Sequence, residues 1–572
     1  MYRNEHPNPQ FMRRSFECLN GLWDFQKGKY ENLNPSALTG RIEVPFCPES
    51  KLSGLGDTDF ITDCVYARDF EAREEDFNGR LFLHFGAVDY HAVIYINGKR
   101  AGEHTGGYTA FKVDITKFVK IGSNRVAVAV HDDVRENIPS GKQSKKLKSY
   151  GCFYTRTTGI WQTVWLERTP VNYVKSVKFY TAPDFKSVTA EIVTEGCGKL
   201  KAEAYFGGKL VGSAESSAEY RCLLEIPLSE THLWEIGKGN LYDAVIKFGD
   251  DEVRSYFGLR TAEYEGKKFL LNGKSVFQRL VLDQGYYEDG IYTAKDVKQF
   301  SDDIALSLSL GFNGARLHQK VFEQRFLYEC DKVGYIVWGE FPNWGMKFDC
   351  LDSLGVFVAQ WSEVVEQYFN HPSIITWCPL NEVWEDLDNE KLVRDVRFVE
   401  AAYHVTKTLD STRPCVDTSG GYHGKYTDVF DFHNYHMSEK TLGFVNDIAQ
   451  KDVLSMDKTY APLAERESTV YNGELPLNAS EYGGMSFPVE DSDGWGYHAA
   501  ASEDDFIKEY LTNTSLYMSC EKISGFCYTQ LYDVEQEQNG IYSYSRQRKF
   551  SDGVLKKIAE CNAQVAAIEQ NS

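Results

Sequence analysis

From Phe269 onward, short apolar runs alternate with helix-like stretches, and this alternation constrains the fold more than any other feature of the chain. The runs are Phe277–Leu282, Gly314–Leu317, Tyr335–Trp338, Ile374–Trp377, Cys415–Asp417, Val429–Phe432, Leu477–Ala479 and Gly525–Tyr528. Helical periodicity fills intervals between them, at Lys295–Leu310, Phe322–Val333, Leu354–Phe369 and Asn389–Leu409. Eight such units in about 300 residues predict a (β/α)8 TIM barrel. Seven or nine units would fit the pattern too. No Gly-x-Gly-x-x-Gly or Walker loop opens a helix, so a doubly wound sheet lacks its usual signal.

The first 260 residues read differently. Alternating runs such as Arg80–Phe85, Ala92–Asn97 and Asn124–Val130 are bounded by Gly, Asn or Asp turns, the pattern of antiparallel sandwiches. A break falls near Arg168-Thr-Pro170. Further strand-like runs follow at Val174–Tyr180, Ser187–Val193, Lys201–Tyr205 and Tyr242–Phe248, in a piece the size of an immunoglobulin-like sandwich. The expected division is therefore 1–170, 171–262 and 263–572, with the barrel last.

Composition narrows the function. A net charge of −21 argues against a phosphate-binding surface and gives anionic membranes little to attract. No run of 18 apolar residues is present, so no membrane span is expected. The 13 Cys are scattered, without Cys-x-x-Cys pairs or zinc spacing, and no secretion signal opens the chain, so reduced thiols and a cytoplasmic location are expected. Aromatics make up 14% of residues, many ring faces to place.

Barrel active sites lie at the C-terminal ends of the strands. In chain order those ends carry Asp283-Gln284, Arg316-Leu-His318-Gln319, Glu340, Asn381-Glu382, Asp417-Thr-Ser419, His433-Asn434-Tyr435, Ser480-Glu481-Tyr482, and Gln530 followed by Asp533, Glu535 and Glu537. Carboxylates there are costly to dehydrate and add nothing to a core. Glu382 and Glu481 form the sharpest pair, since a glycosidase needs two carboxyls flanking the scissile bond. A barrel mouth can bring together residues this far apart in sequence.

The segment His371-Pro-Ser-Ile-Ile-Thr-Trp-Cys-Pro-Leu-Asn381-Glu382-Val-Trp384 resembles the acid/base signature of glycoside hydrolase family 2, which contains β-galactosidases, β-glucuronidases and β-mannosidases. Asn20–Phe25, Val44-Pro-Phe46, Tyr66–Phe70, Asn97-Gly98, Gly107–Phe111 and Gly159–Trp165 resemble the family's N-terminal jelly-roll domain. Phe269–Lys274 resembles the lead-in to its barrel, Gly311–Arg316 the second strand and Ser480–Gly484 the nucleophile strand. The resemblance covers nearly the whole chain. It implies a jelly-roll sandwich, an immunoglobulin-like sandwich and a C-terminal TIM barrel.

The same resemblance makes Glu382 the acid/base and Glu481 the nucleophile. Asn381 would bond the sugar 2-hydroxyl, Tyr435 would bond the nucleophile, and Arg316 would keep it ionised. Candidate substrate contacts are Asn381, Tyr435, Arg316, His318, Asp283, His433, Trp384, Glu340, Tyr528 and Glu535. Sugars stack on aromatic faces, so Trp338, Trp377 and Trp384 are candidates too; core packing suits Trp338 and Trp377 equally well or better. Trp344, Trp495 and Tyr528 are looser candidates. His433 with His436 could form a metal pair, but substrate bonding suits His433 better. No cofactor or metal is expected, and the partner would be a small glycoside. Family members often form dimers or tetramers.

Two departures bear on the sugar. Strand two reads Arg316-Leu-His-Gln-Lys-Val321 where many relatives have Arg-x-Ser-His-Tyr-Pro, and strand one reads Asp283-Gln-Gly-Tyr-Tyr287 where they often have Asn-Arg-His. The Asn-x-Lys element that holds the uronate in family β-glucuronidases is absent from Glu535–Tyr542. Glu535 and Glu537 would repel a uronate. These points favour a β-galactoside, with a β-glucuronide or β-galacturonide as runner-up and a β-mannoside third. Arg546, Arg548 and Lys549 could pair an acid but read better as a solvated helix start, and Lys142–Lys148 reads best as an exposed basic loop, only weakly as an interaction site. The rival from another class is a non-catalytic carbohydrate-binding protein. A metal-dependent hydrolase is a weaker rival.

Overall fold

The computed structural model describes residues 3–383, 394–451, 471, 473–487 and 494–570. The N-terminal unit is a jelly-roll sandwich of two antiparallel sheets. One holds Glu17–Cys18, Val164–Thr169, Arg80–Phe85 and Phe111–Asp114. The other holds Gly40–Val44, Gly21–Lys27, Asp63–Ala72, Gly122–His131, His91–Ile96 and Lys99–Thr105, in that spatial order. Their inward-facing residues, among them Trp23, Tyr66, Leu83, Ile94, Val128 and Leu166, share one core. Period-2 alternation is what lets a strand bury one face and wet the other.

The immunoglobulin-like sandwich follows. The two expected runs at Ser187–Val193 and Lys201–Tyr205 belong to one 20-residue strand, Ser187–Phe206, that bends between them. The register shifts between Val193 and Cys197, so its two halves pair with different partners, Tyr173–Thr181 and Tyr242–Phe248. Lys209–Pro227 is a further strand that the hydrophobic pattern does not reveal, because most of it is exposed and its middle is rich in Ser and Glu. Arg13 ties this sandwich to the jelly roll. Its guanidinium donates to Asp251 at 2.8 and 2.9 Å and to Glu167 at 2.8 Å, with all three side chains buried.

Seven parallel barrel strands run in the order Ile374–Cys378, Ile336–Glu340, Gly314–Leu317, Gln278–Asp283, Ile523–Thr529, Leu477–Gly483 and Phe430–Asn434. The first and last strands in sequence are neighbours, as closure requires. The expected fifth strand is reduced to bridges. Cys415 pairs with Trp377 and Ser419 with Asn381, both in parallel sense. Side chains complete this position. His423 sits between Asp417 and Asp431, and Asp431 also accepts from Ser419 Oγ. Helices Val297–Ser309, Gln324–Val333, Leu354–Tyr368 and Val396–Leu409 match the sequence expectations to within a few residues at the described ends.

Below the barrel, Phe269 and Leu271 of a small lead-in sheet join Leu280, Ile336, Trp338, Ile375, Val416 and Cys527 in one interior cluster. The barrel floor is therefore plugged by apolar side chains. Above it the jelly roll docks on the mouth. Trp161 is fully buried, donates its indole N–H to Gly107 O at 2.7 Å, and packs at 5.3 Å from the ring of Tyr292. Arg3 adds a buried bidentate pair with Glu323, at 3.0 and 2.7 Å.

Candidate active site

Arg316 closes the second strand, completely buried, with its guanidinium carbon 6.0 Å from the centre of the Trp338 ring. Every donor it has is used in a different direction. Nε donates to Glu340, Nη1 to Glu481 Oε1 at 3.0 Å and to Ser480 O at 2.9 Å, and Nη2 to Asn381 Oδ1 at 3.0 Å. One cation thus orients groups from the third, fourth and seventh strands. Glu340 also takes His318 Nδ1 at 3.0 Å and the Gln319 amide at 3.1 Å. The third carboxylate of the mouth is therefore a brace for Arg316 and His318.

Glu481 is buried, and burial alone would push its carboxyl up. His433, Arg316, His318 and the Tyr435 hydroxyl outweigh burial and hold it down at about 2. Tyr435 donates to Glu481 Oε2, and burial followed by the Glu481 charge keeps its phenol protonated. Tyr497 stacks on Tyr435 at 3.5 Å between centroids and 7° between planes, fixing the ring that makes this bond.

Glu382 follows the fourth strand with φ +48°, a left-handed backbone that a residue with a Cβ adopts only under constraint. Its amide donates to Ser419 O at 3.1 Å. Its Oε1 lies 2.6 Å from His433 Nδ1, while His433 Nε2 lies 3.4 Å from Glu481. Oxygens of the two carboxylates and the ring nitrogen of His433 lie within 4.8 Å of one another. Burial disfavours the His433 cation, but the charges of Glu481 and Glu382 reverse this and raise its pKa. The same three groups could ligate a cation geometrically. The Arg316 guanidinium already occupies Glu481 Oε1, which argues for a charge-paired site instead.

Asn381 is held through its backbone. Its N–H donates to Asn343 Oδ1 at 3.0 Å, and its carbonyl accepts from Asn343 Nδ2 at 3.0 Å and Trp344 Nε1 at 3.1 Å. Its side-chain Nδ2 has no partner among the described residues, so one donor beside the paired carboxylates is open to an acceptor. Asn343 escapes sequence reading because it lies in a loop, three residues past a strand end, with no motif around it.

Other expected residues are placed elsewhere. Asp283 is buried and accepts from Tyr532 Oη and, at 2.9 Å, from Gly285 N; burial and Asp303 push it up to about 6. It braces the loop after the first strand and joins none of the contacts around Glu382 and Glu481. Tyr528 points away from the mouth, its ring 4.9 Å from Tyr510 of the outer helix Glu503–Met518. Trp377 likewise packs outward on Trp361 and donates to Asp410. Trp338 lies inside the barrel, donating to Gln278 Oε1 at 2.8 Å. Trp384 lies outside the described residues.

Glu535 and Glu537 face the jelly roll. Glu535 accepts from Thr155 N at 3.0 Å, and Glu537 accepts from Tyr154 Oη at 2.5 Å. Trp495, one residue of the same rim, donates to Gly151 O at 2.6 Å. Arg546 and Lys549 are not a solvated helix start. Arg546 pairs with buried Asp303 at 3.0 Å, and Lys549, itself buried, with Asp533 at 2.8 Å. Arg548 alone of the three is exposed. Lys142, Gln143 and Ser144 are buried as well, so only the later part of the basic run is an exposed loop.

Known proteins share this arrangement of domains. Residues 58–170 match the family profile described as "Glycosyl hydrolases family 2, sugar binding domain", and residues 263–487 match "Glycosyl hydrolases family 2, TIM barrel domain". A β-glucuronidase of Streptococcus agalactiae is 24% identical over 479 residues, covering 73% of this chain and 77% of that protein. A β-galactosidase of Thermoanaerobacter pseudethanolicus is 26% identical over 396 residues, covering 65% of this chain and 50% of that protein. The solved β-glucuronidase of an uncultured Clostridium superposes with a TM-score of 0.76 at 21% identity, over 97% of this chain and 99% of that one. With both profiles in their expected order and a fold shared from end to end, the chain belongs to glycoside hydrolase family 2.

Proposed function

We propose that the chain is a retaining exo-β-glycosidase whose nucleophile is Glu481 and whose acid/base is Glu382. The observation that carries this reading is the close approach of the two carboxylates, with oxygens within 4.8 Å. Retaining enzymes hold their carboxyl groups about 5–5.5 Å apart, and inverting enzymes about 6.5–9.5 Å. In the first step a Glu481 oxygen bonds to the anomeric carbon as the bond to the leaving oxygen breaks, and Glu382 gives that oxygen a proton. In the second, Glu382 takes a proton from water, which attacks the anomeric carbon and releases Glu481. The unpartnered Nδ2 of Asn381 suits the sugar 2-hydroxyl, whose hydrogen bond strengthens in the transition state.

For the sugar, a β-hexuronide, either glucuronide or galacturonide, is the reading we prefer. β-Glucuronidases stand among both the sequence relatives and the structural neighbours. The two rim carboxylates that had argued against a uronate are each bonded to the jelly roll, which lessens their repulsion. A β-galactoside is the second reading, favoured by the missing Asn-x-Lys element and by the β-galactosidase relative. A panel of nitrophenyl β-D-glucuronide, galacturonide, galactoside, mannoside and glucoside decides between them. The hexuronides are expected to give the highest kcat/KM, and preference for any neutral sugar overturns that choice. A protein inactive on all five would support the carbohydrate-binding rival.

A further inference from the structure

The pocket mouth contains a buried cation that the chemistry above does not use. Residues 138–144 leave the jelly roll and lie against the barrel loops that follow the second and third strands. Ser140 N and Gly141 N donate to Trp344 O at 2.8 and 3.0 Å. Gly141 has φ +56°, and a Cβ there would stand 2.3 Å from Gln319 O. Gly345 has φ +101°, and a Cβ there would stand 2.3 Å from Ile138 O. Neither position tolerates a side chain, so the segment is fixed on the barrel at backbone contact.

Lys142 is the residue that this docking delivers. It is only 6% exposed. Its Nζ lies 5.1 Å from the centre of the Trp344 ring and 5.9 Å from that of Tyr154. Both rings touch the site, since Trp344 donates to the Asn381 carbonyl and Tyr154 to Glu537. The other buried cations nearby are engaged: Arg316 by two carboxylates, and Lys320 by the carbonyls of Gly285 and Tyr292. The Lys142 ammonium makes no hydrogen bond and no ion pair among the described residues. A largely buried ammonium without a protein acceptor is costly, and two ring faces offset only part of that cost.

We propose that Lys142, carried into the pocket by the jelly roll, is the specificity-determining cation that binds the carboxylate of a hexuronide in place of the absent Asn-x-Lys element. The inference rests on the hexuronide reading above. Charge balance argues for it. The charges of Glu382, Glu481 and Glu537 all act on Lys142, and Arg316 is already shared between Glu340 and Glu481. An anionic sugar needs one more positive group, and a neutral sugar does not. The field of the site agrees. Burial disfavours the Lys142 cation, but the nearby carboxylates of Glu537, Glu481 and Glu382 favour it.

The test compares wild type with K142M, K142Q and K142R on nitrophenyl β-D-glucuronide and galacturonide and on the matching glucoside and galactoside. The readout is the ratio of kcat/KM for each hexuronide to that of its neutral counterpart. K142M and K142Q are expected to lower this ratio at least about 30-fold, the size of one charge-assisted contact, while K142R keeps it within about tenfold. Calorimetric binding of free glucuronate and galacturonate gives a second reading that needs no turnover. A wild type that cleaves hexuronides while K142M and K142Q keep the ratio overturns the assignment of Lys142 alone. Equal losses on charged and neutral sugars also overturn it, because they mark a merely structural role. A wild type that cleaves no hexuronide overturns the substrate reading and the assignment with it.

Discussion

Arg316 donates to Glu481 at 3.0 Å with both side chains buried, so the carboxylate proposed as nucleophile is held in its ionised form. Its depressed pKa of about 2 follows from this contact together with His433, His318 and Tyr435. Removing a donor must raise that value. In Y435F the acid limb of the kcat/KM profile is expected to move to higher pH, because Glu481 then takes up its proton more readily. A pH–rate profile from pH 3 to 8 measures the shift, and an unmoved acid limb contradicts the role given to Tyr435.

Substituting the two carboxylates should separate their roles. E382Q is expected to lose about 10²–10⁴-fold on glycosides with poor leaving groups and far less on dinitrophenyl glycosides, which need no proton. E481G should lose turnover altogether, and azide should restore it, giving the α-glycosyl azide. Product anomers resolved by NMR provide the check; a β-azide from E481G would exclude the double displacement.

Metal removal should leave the reaction unchanged. Among the described residues the three groups that could hold an ion are Glu382, His433 and Glu481, and Arg316 already donates to the last of them. Dialysis against a chelator is therefore expected to preserve kcat, and a loss restored by a divalent cation would reopen the metal reading.

His423 predicts an alkaline loss of stability. Burial lowers its pKa, but Asp417 and Asp431 more than compensate and raise it to about 10. A histidine raised on folding stabilises fully below its unfolded pKa of about 6.5, and that contribution disappears as pH climbs through about 10. The thermal midpoint of wild type should fall between these values. H423N should melt lower at pH 6 and show a flatter decline.

Breaking the Arg13 cluster should be costly. R13M leaves Asp251 and Glu167 buried without their cation, which typically costs about 3–5 kcal/mol. Urea unfolding followed by tryptophan fluorescence is expected to shift to lower midpoints; a change under about 0.5 kcal/mol would show that water replaces the guanidinium.

Much of this molecule is legible in its sequence because strands and helices impose periods on it. The barrel runs are found nearly in place, and Glu382 and Glu481 stand out from the other strand-end carboxylates through the motifs around them. The fifth barrel position reads as a strand because Cys415–Asp417 is apolar, yet hydrogen bonds from Asp417, His423 and Asp431 hold it instead of a ladder. Tyr528 faces away from the mouth on a strand that carries an extra residue between Ile523 and Phe526 relative to its neighbour, and such bulges change which face a side chain takes. Asp283 sits at a strand end, but Tyr532 and Gly285 claim its carboxylate. Lys142 lies in a charged run that reads as solvated. Its burial depends on which barrel loop the jelly roll covers, and that contact leaves no periodic mark.

Tyr154 and Glu537 share one hydrogen bond across 383 positions of chain. Synthesis proceeds from the N-terminus, and domains generally fold as units, the N-terminal ones first. The jelly-roll wall of the pocket can thus be folded while its facing wall has yet to be translated. This bond between the two walls forms only once the chain has been made as far as Glu537.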